Sequence, residues 1–525
     1  MTRRSLLAMS AGAMAGGLTR SGGALAALAG PPRPRLEERW VGRLGIAGAT
    51  IELASVADLL GVEWQAPAEA GIELRFRGAG GRWSVWVSAG ARGHGPDGQV
   101  ATGRLVGDPV WTGGTTTVQL RSTRTLTGVR LHLVDASGGV GARRQAMLLG
   151  PLASVAALPQ ATPVLAAGAG QPPIIARRGW AQGMAPPRVA PEYGAVQMAF
   201  VHHTENPNGY APGEVPAMLR AIYVFHRYVN GWNDIGYNFV VDLYGRIFEA
   251  RAGGIDEPVI GAHAGGYNLV SSGVAVLGSF MSTPISPVAR RALEQLLAWK
   301  LSLHGLPAEG TVTVRVNPAG ASYSRFPANA HVPLPRIAGH RDGDSTDCPG
   351  DVLYGELPGI RARVLGLAPR PARATLALES TPSSTAPAPQ GAPAPPAPEA
   401  PPATPGGEST GGGRALLGAL QLLDGTPIAG AHILIQARTV SRKGEVVREA
   451  TIAEALTDAD GRWSLPASFP AAGGGLWLRA LCTGSSGVGA AVSDPLHLPA
   501  AAAAPVTPPP AAPAPTPPAA APPSQ

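Results

Sequence analysis

Gln197-Met198-Ala199-Phe200-Val201-His202-His203-Thr204 decides the reading of this chain. An apolar run ends abruptly in two imidazoles and a hydroxyl. That is the pattern of a buried strand whose end meets solvent, a rigid place to hold polar ligands. On either side the hydrophobic period changes repeatedly. Val215 to Val229 carries apolar residues at 215, 218, 219, 222, 225 and 229, the spacing of a helix, and Pro216 suits its first turn. Ile235–Asp242 and Arg246–Ala250 read as a hairpin around Leu243-Tyr244-Gly245. Ser286-Pro287 opens a helix that Gly305 ends, with Val288, Leu293, Leu296, Leu297 and Leu301 expected on its inner face. Strands interleaved with helices predict a mixed α/β core.

Downstream stands Gly339-His340-Arg341-Asp342-Gly343-Asp344-Ser345-Thr346-Asp347-Cys348-Pro349-Gly350. A His and a Cys eight apart in a Gly/Asp-rich loop can converge on one point. Joined by His202 they make two imidazoles and one thiolate, a tetrahedral zinc set with one position left for water. On spacing alone the alternative is solvated loop histidines and a buried thiol.

The chain has 525 residues, rich in Gly (70) and Pro (54) and with 15% charged residues, which suggests compact domains joined by unpatterned stretches. Its net charge of +7 is almost all arginine, and it is scattered. A nucleic-acid surface clusters its basic residues, so no nucleic-acid partner is expected; attraction to an anionic cell wall accounts for the charge as well. The two cysteines, Cys348 and Cys482, fall in different candidate domains, and no disulfide is expected between them.

Residues 1–30 read as a signal peptide. Arg3-Arg4 precedes a weakly apolar stretch and a small-x-small site at Ala24-Leu25-Ala26, the form of a twin-arginine leader, with a chance Arg pair as the alternative. No later stretch offers 18 uninterrupted apolar residues, so no membrane span is expected after the leader is removed. Export to the cell envelope or medium is the expected location, and the oligomeric state is left open.

Residues 36–155 alternate apolar and polar in short runs such as Gly71–Phe76, Trp83–Val87 and Gly128–Val134, predicting an N-terminal β-sandwich. Trp83 and Trp86 are three apart, out of phase for one strand face. A connector at about 156–176 leads to the α/β domain, 177–366. Residues 367–413 collapse to Ala, Pro, Ser, Thr and Gly and are expected to be a disordered linker; 414–499 is patterned again as a second β-sandwich, and 500–525 is an Ala/Pro tail.

The middle domain resembles the peptidoglycan recognition protein and type 2 N-acetylmuramoyl-L-alanine amidase family. Six blocks carry the resemblance, in the family's order: Phe200–Thr204, Gly231–Phe239, Tyr244–Arg251, Gly261–Asn268, Ser272–Phe280 and Gly339–Asp342 with Asp347–Gly350. The resemblance implies that His202, His340 and Cys348 bind zinc. It places catalytic roles on Tyr237, in Asp234-Ile235-Gly236-Tyr237, and on Thr346, two residues before the cysteine. Members that only bind peptidoglycan commonly lack the cysteine, so its presence favours catalysis. The implied activity is zinc-dependent hydrolysis of the amide between N-acetylmuramic acid and L-alanine, with peptidoglycan as partner. The alternative is a groove that binds muropeptide without cutting it.

His263 and Asn268 lie in the block that lines the family's substrate groove, with a structural turn as the other reading. Gly231-Trp232 matches a pair that goes with diaminopimelate-type stem peptides, or Trp232 is core. His203 reads as a structural neighbour, and His226 as packed or solvated. Residues 308–336 depart from the family pattern and read as an inserted hairpin or loop over the groove. Asp424–Ile435 and Thr457–Leu465 are similar to carboxypeptidase-regulatory-like or Cna-B-like domains; the Asp458-Ala459-Asp460-Gly461 run reads as a hairpin turn and not a calcium loop.

Overall fold

The computed structural model describes residues 34–65, 70–78, 80–90, 95–98, 103–136, 170–367, 371–380, 414–440, 446–466, 476–484 and 488–498. The leader, most of the first connector, the bulk of the Ala/Pro linker and the tail lie outside the described residues.

The middle domain is built on a six-stranded mixed sheet. Its order is Ile337–Gly339, Met198–His203, Ser271–Val276, Phe239–Val241, Ile247–Glu249 and Ile174–Ile175. Neighbours are parallel except Phe239–Val241 with Ile247–Glu249, the expected hairpin. The edge strand Ile174–Ile175 falls in the expected connector, so the domain begins a few residues early.

Strand alternation splits the apolar residues between two faces. Val201, Phe239, Val241, Val274 and Val276 face the helices Pro287–Leu303 and Asp351–Leu367. Val240, Phe248 and Ala275 face the helix Val215–Val224, which continues as a π-helical turn, Phe225–Val229. The second helix starts where expected: the Ser286 hydroxyl accepts the Ala289 N–H at 3.2 Å. Gly305 ends it in the left-handed region, φ +65°. Leu293, Leu296, Leu297 and Leu301 are buried, but Val288 is 56% exposed. Five residues before Leu293, it stands well off that face at 3.6 residues per turn.

The insertion is a hairpin, Thr311–Arg315 against His331–Pro335, packed over Phe200 and Tyr267.

The N-terminal strands were expected as a β-sandwich. They form one hydrogen-bonded seven-stranded sheet around a single core that includes Leu60, Val62, Leu74, Leu120 and Leu131. The long strand Ala49–Gln65 pairs along both halves with Val110–Ser122, and irregular register between Glu52 and Leu59 lets it bend. Arg75 explains the tryptophan spacing. Its guanidinium lies 5.1 Å from the Trp83 ring centre and 4.7 Å from that of Trp86, because residues 84–86 leave the strand.

The C-terminal residues form two antiparallel sheets over a shared core of Leu416, Leu420, Ile433, Ile435, Trp463 and Leu478. One correction applies to the expected linker. Ala372–Ala374 and Ala377–Ser380 are strands paired with Arg414–Leu422. Ala372 and Ala374 alternate into the core, so small residues that look like spacer supply a sheet edge. The Asp458–Gly461 run is a tight turn, with Asp458 Oδ1 accepting the N–H groups of Asp460 and Arg462.

Candidate active site

His202 lies near the end of its strand, and His340 opens the short helix His340–Gly343 straight after Ile337–Gly339. Those strands are parallel neighbours with Gly339 opposite Val201, so their carboxyl ends bring both imidazoles together. The ring centres are 4.4 Å apart. The loop that follows closes on itself, Arg341 N–H donating to Cys348 O at 2.9 Å, and this returns the thiol to the histidines. One ligand atom from each of His202, His340 and Cys348 lies within 4.8 Å of the others. Cys348 Sγ is 3.8 Å from His202 Nδ1 and accepts the His203 N–H at 3.3 Å.

Each imidazole is held from behind. His340 Nε2 is 2.9 Å from Asp344 Oδ2, and His202 Nε2 is 3.1 Å from His263 Nδ1. Holding Nε2 turns His202 Nδ1 toward the cysteine. For His340 the remaining ligand atom is Nδ1. Outer partners that fix ring orientation are the rule at metal-binding histidines. Burial pushes the Cys348 thiol and the Asp344 carboxyl well above their ordinary values. A divalent cation at the shared point would reverse that sign, since a coordinating thiol ionises. The donor set therefore fits zinc: two nitrogens and one sulfur, three protein ligands.

Tyr237 stands beside the cluster, its ring centre 5.4 Å from that of His202. Burial, with Asp108, Cys348 and Glu205 nearby, pushes its phenol well above the ordinary value, so it stays a proton donor. The Thr346 hydroxyl accepts the Cys348 N–H at 3.1 Å and keeps its own proton to donate. His203 is a neighbour, as expected: Nε2 is 3.1 Å from Glu205, and Nδ1 accepts the Phe280 N–H.

Three residues were expected at the substrate groove. Trp232, His263 and Asn268 are all buried. Trp232 stacks on His226 at 4.4 Å. His263 serves His202, as above. Asn268 Oδ1 accepts the N–H groups of His263 and Ala264, which shapes the turn behind the metal-site loop. Two residues behind the ligands escaped sequence reasoning. Asp344 was within reach, since four residues after His340 places a side chain on the same helical side. For His263 the motif block carries no signal of its pairing with His202.

Residues 192–351 match the family profile described as N-acetylmuramoyl-L-alanine amidase, and residues 48–153 match one described as Rv3811 N-terminal galactose-binding domain-like. Human N-acetylmuramoyl-L-alanine amidase is 31% identical over 211 residues, 39% of this chain and 31% of that protein. The chain thus spans about a third of that relative's length. Peptidoglycan-recognition protein SC1a/b of Drosophila simulans is 27% identical over 161 residues, 31% of this chain and 71% of that protein. The solved structure of wild-type Drosophila PGRP-LB is 26% identical, covering 35% of this chain and 91% of that one with a TM-score of 0.27. With the matched profile spanning all three clustered ligands, the middle domain belongs to the peptidoglycan recognition protein and type 2 N-acetylmuramoyl-L-alanine amidase family.

Proposed function

We propose that this protein is an exported zinc amidase that hydrolyses the amide joining N-acetylmuramic acid to L-alanine in peptidoglycan. The observation that carries the proposal is the convergence of His202, His340 and Cys348 within 4.8 Å, with Tyr237 beside them. When bound, zinc supplies a water acidic enough to ionise near neutral pH and polarises the scissile carbonyl.

The remaining work falls to the chain. Asp344 and His263 hold the two imidazoles in their ligating orientation. To the Tyr237 phenol, beside the cluster, and the Thr346 hydroxyl, which keeps its proton, we assign the role of donors to the oxygen that gains charge as the amide is attacked. In a water-excluded site such a donor is worth about 100- to 1000-fold in rate. Peptidoglycan lies outside the membrane, which agrees with the twin-arginine reading of the leader. Among the described residues no helix is long and apolar enough to cross a membrane.

Purified peptidoglycan digested with and without chelator tests the proposal. New L-alanine amino termini that disappear when zinc is stripped support it. Zinc-loaded protein that binds the polymer and releases nothing makes it a binding protein with the same groove.

A further inference from the structure

The N-terminal domain reaches the metal cleft on two sides. On one side Asp108 and Pro109 line a narrow, partly open cavity of about 10 Å3 together with Tyr237, His203, Thr204 and His226. That is room for a single water. On the other side Gly95–Gly98 lies against residues 265–268 and the inserted segment at 317–323. Asp97 Oδ1 accepts the Gly266 N–H at 2.7 Å and the Asn268 side-chain amide at 3.2 Å. Asp97 Oδ2 accepts the Asn317 side-chain amide at 2.9 Å. Gly95 O accepts the Asn268 amide at 3.0 Å, and the Gly98 N–H donates to Ala319 O at 2.8 Å.

The approach is close on both partners. A Cβ on Gly320 would stand 2.1 Å from Asp97 Oδ1, and one on Gly95 would stand 2.5 Å from the Tyr323 ring. Asn268 shapes the turn that carries His263, so this contact is fastened to the loop that orients His202.

We propose that the N-terminal domain is a built-in cover of the active site, with Gly95–Gly98 as its strap and Asp97 as the clasp that must release before peptidoglycan enters. The site it covers is the one read above as an amidase centre. A muropeptide carries amino sugars and a peptide stem, far more than a water-sized space admits, and the Tyr237 side it must reach is buried. The two ends of the domain are held by different forces. Leu59, Trp111, Val134 and Ala136 share an apolar core with Met218, Ile222 and Phe225, which anchors it. The strap is held by hydrogen bonds, each to the charged carboxylate stronger than a neutral one, so exchanging one partner of Asp97 shifts the balance toward release. Burial raises the Asp97 carboxyl above its ordinary range, the mark of a carboxylate held away from solvent.

Asn317→Asp, in the full chain as purified, tests this. It sets a second carboxylate against Asp97 and keeps the Oδ1 that caps the Ala319 N–H. Two readouts are compared in a Cys482→Ser background: the rate at which Cys348 reacts with a bulky maleimide once chelator has removed any zinc, and the release of L-alanine amino termini from peptidoglycan by the untreated protein. Both are expected to rise severalfold in Asn317→Asp and in Asp97→Ala. Adding Asp97→Asn to Asn317→Asp restores a donor facing an acceptor and is expected to return both to the starting level. Labelling that stays unchanged in the two single variants overturns the cover, as does a rise that the exchange fails to reverse. Labelling that responds while no variant releases amino termini overturns the amidase reading and leaves the cover standing.

Discussion

His340 Nε2 lies 2.9 Å from Asp344 Oδ2, and both side chains are fully enclosed. The carboxylate also accepts the Gly265 N–H at 3.0 Å, so it ties the metal-site helix to the loop of His263. Asp344→Ala is expected to weaken zinc binding about 10- to 100-fold by freeing the His340 ring. Asp344→Asn, which keeps an acceptor in place, is expected to lose less. Competition with a chromogenic chelator measures both. Equal zinc affinity in Asp344→Ala and the wild type would remove Asp344 from the site.

Cys348 and Tyr237 separate holding the metal from using it. Cys348→Ser replaces the one sulfur of the cluster and is expected to lose both zinc and amidase activity. Tyr237→Phe keeps the ring in its buried place and removes only the proton donor. It is expected to bind zinc as the wild type does while turnover falls about 100- to 1000-fold. Metal content by atomic absorption beside the rate of amino-terminus release tells the two apart. Full turnover in Tyr237→Phe would leave the phenol without a role.

The C-terminal sheets dock on the middle domain through a buried ion cluster. Arg438 Nη2 is 2.9 Å from Asp256 Oδ2, Arg438 also pairs with Glu257, and Arg479 pairs with both acids. Burial alone would raise the Asp256 carboxyl, but Arg479 and Arg438 hold it well below the carboxylate range. Arg438→Met leaves buried charge without its partner, which typically costs about 3–5 kcal/mol. The expected result is a lower urea midpoint, with limited proteolysis releasing the C-terminal module first. An unchanged midpoint would show that the cluster contributes no docking energy.

The middle domain was legible because its periods are strong and local. The run to His202, the helix from Pro287 and the hairpin at Tyr244 each follow from spacing within one element. The candidate ligand set was legible as a list of residue types, and parallel pairing of Gly339 with Val201 is what brings His202 and His340 together. What escaped was everything set by contact between distant segments. Asp97 and Asn317 are 220 residues apart, and neither carries a local signal. Ala372–Ala374 looked like spacer because small apolar residues make a strand only when a partner strand arrives to pair with them. The burial of Trp232, His263 and Asn268 was not legible either, because the order of motifs says nothing about which side of a loop faces solvent.

Lys300 gives the fold a pH dependence whose sign can be worked out. Its ammonium is buried beside the ion cluster and donates to Ile255 O at 2.9 Å and Glu257 O at 2.8 Å. Burial lowers its pKa from 10.5 to about 7, against the pull of Asp256 and Glu257. Between those values the unfolded chain holds the proton and the folded chain does not, so stability rises with pH through this window. Below it both states are charged and the contribution is flat. At 1.36 kcal/mol per unit, the rise between about pH 7 and about pH 9 is on the order of 2 kcal/mol. Cys482, whose thiol is raised by burial, acts in the opposite direction near pH 9. The difference between the wild type and Lys300→Met isolates the lysine. Urea midpoints at the two pH values are expected to move apart, with the wild type gaining on the variant as pH rises. A constant difference would mean that Lys300 keeps its charge in the fold.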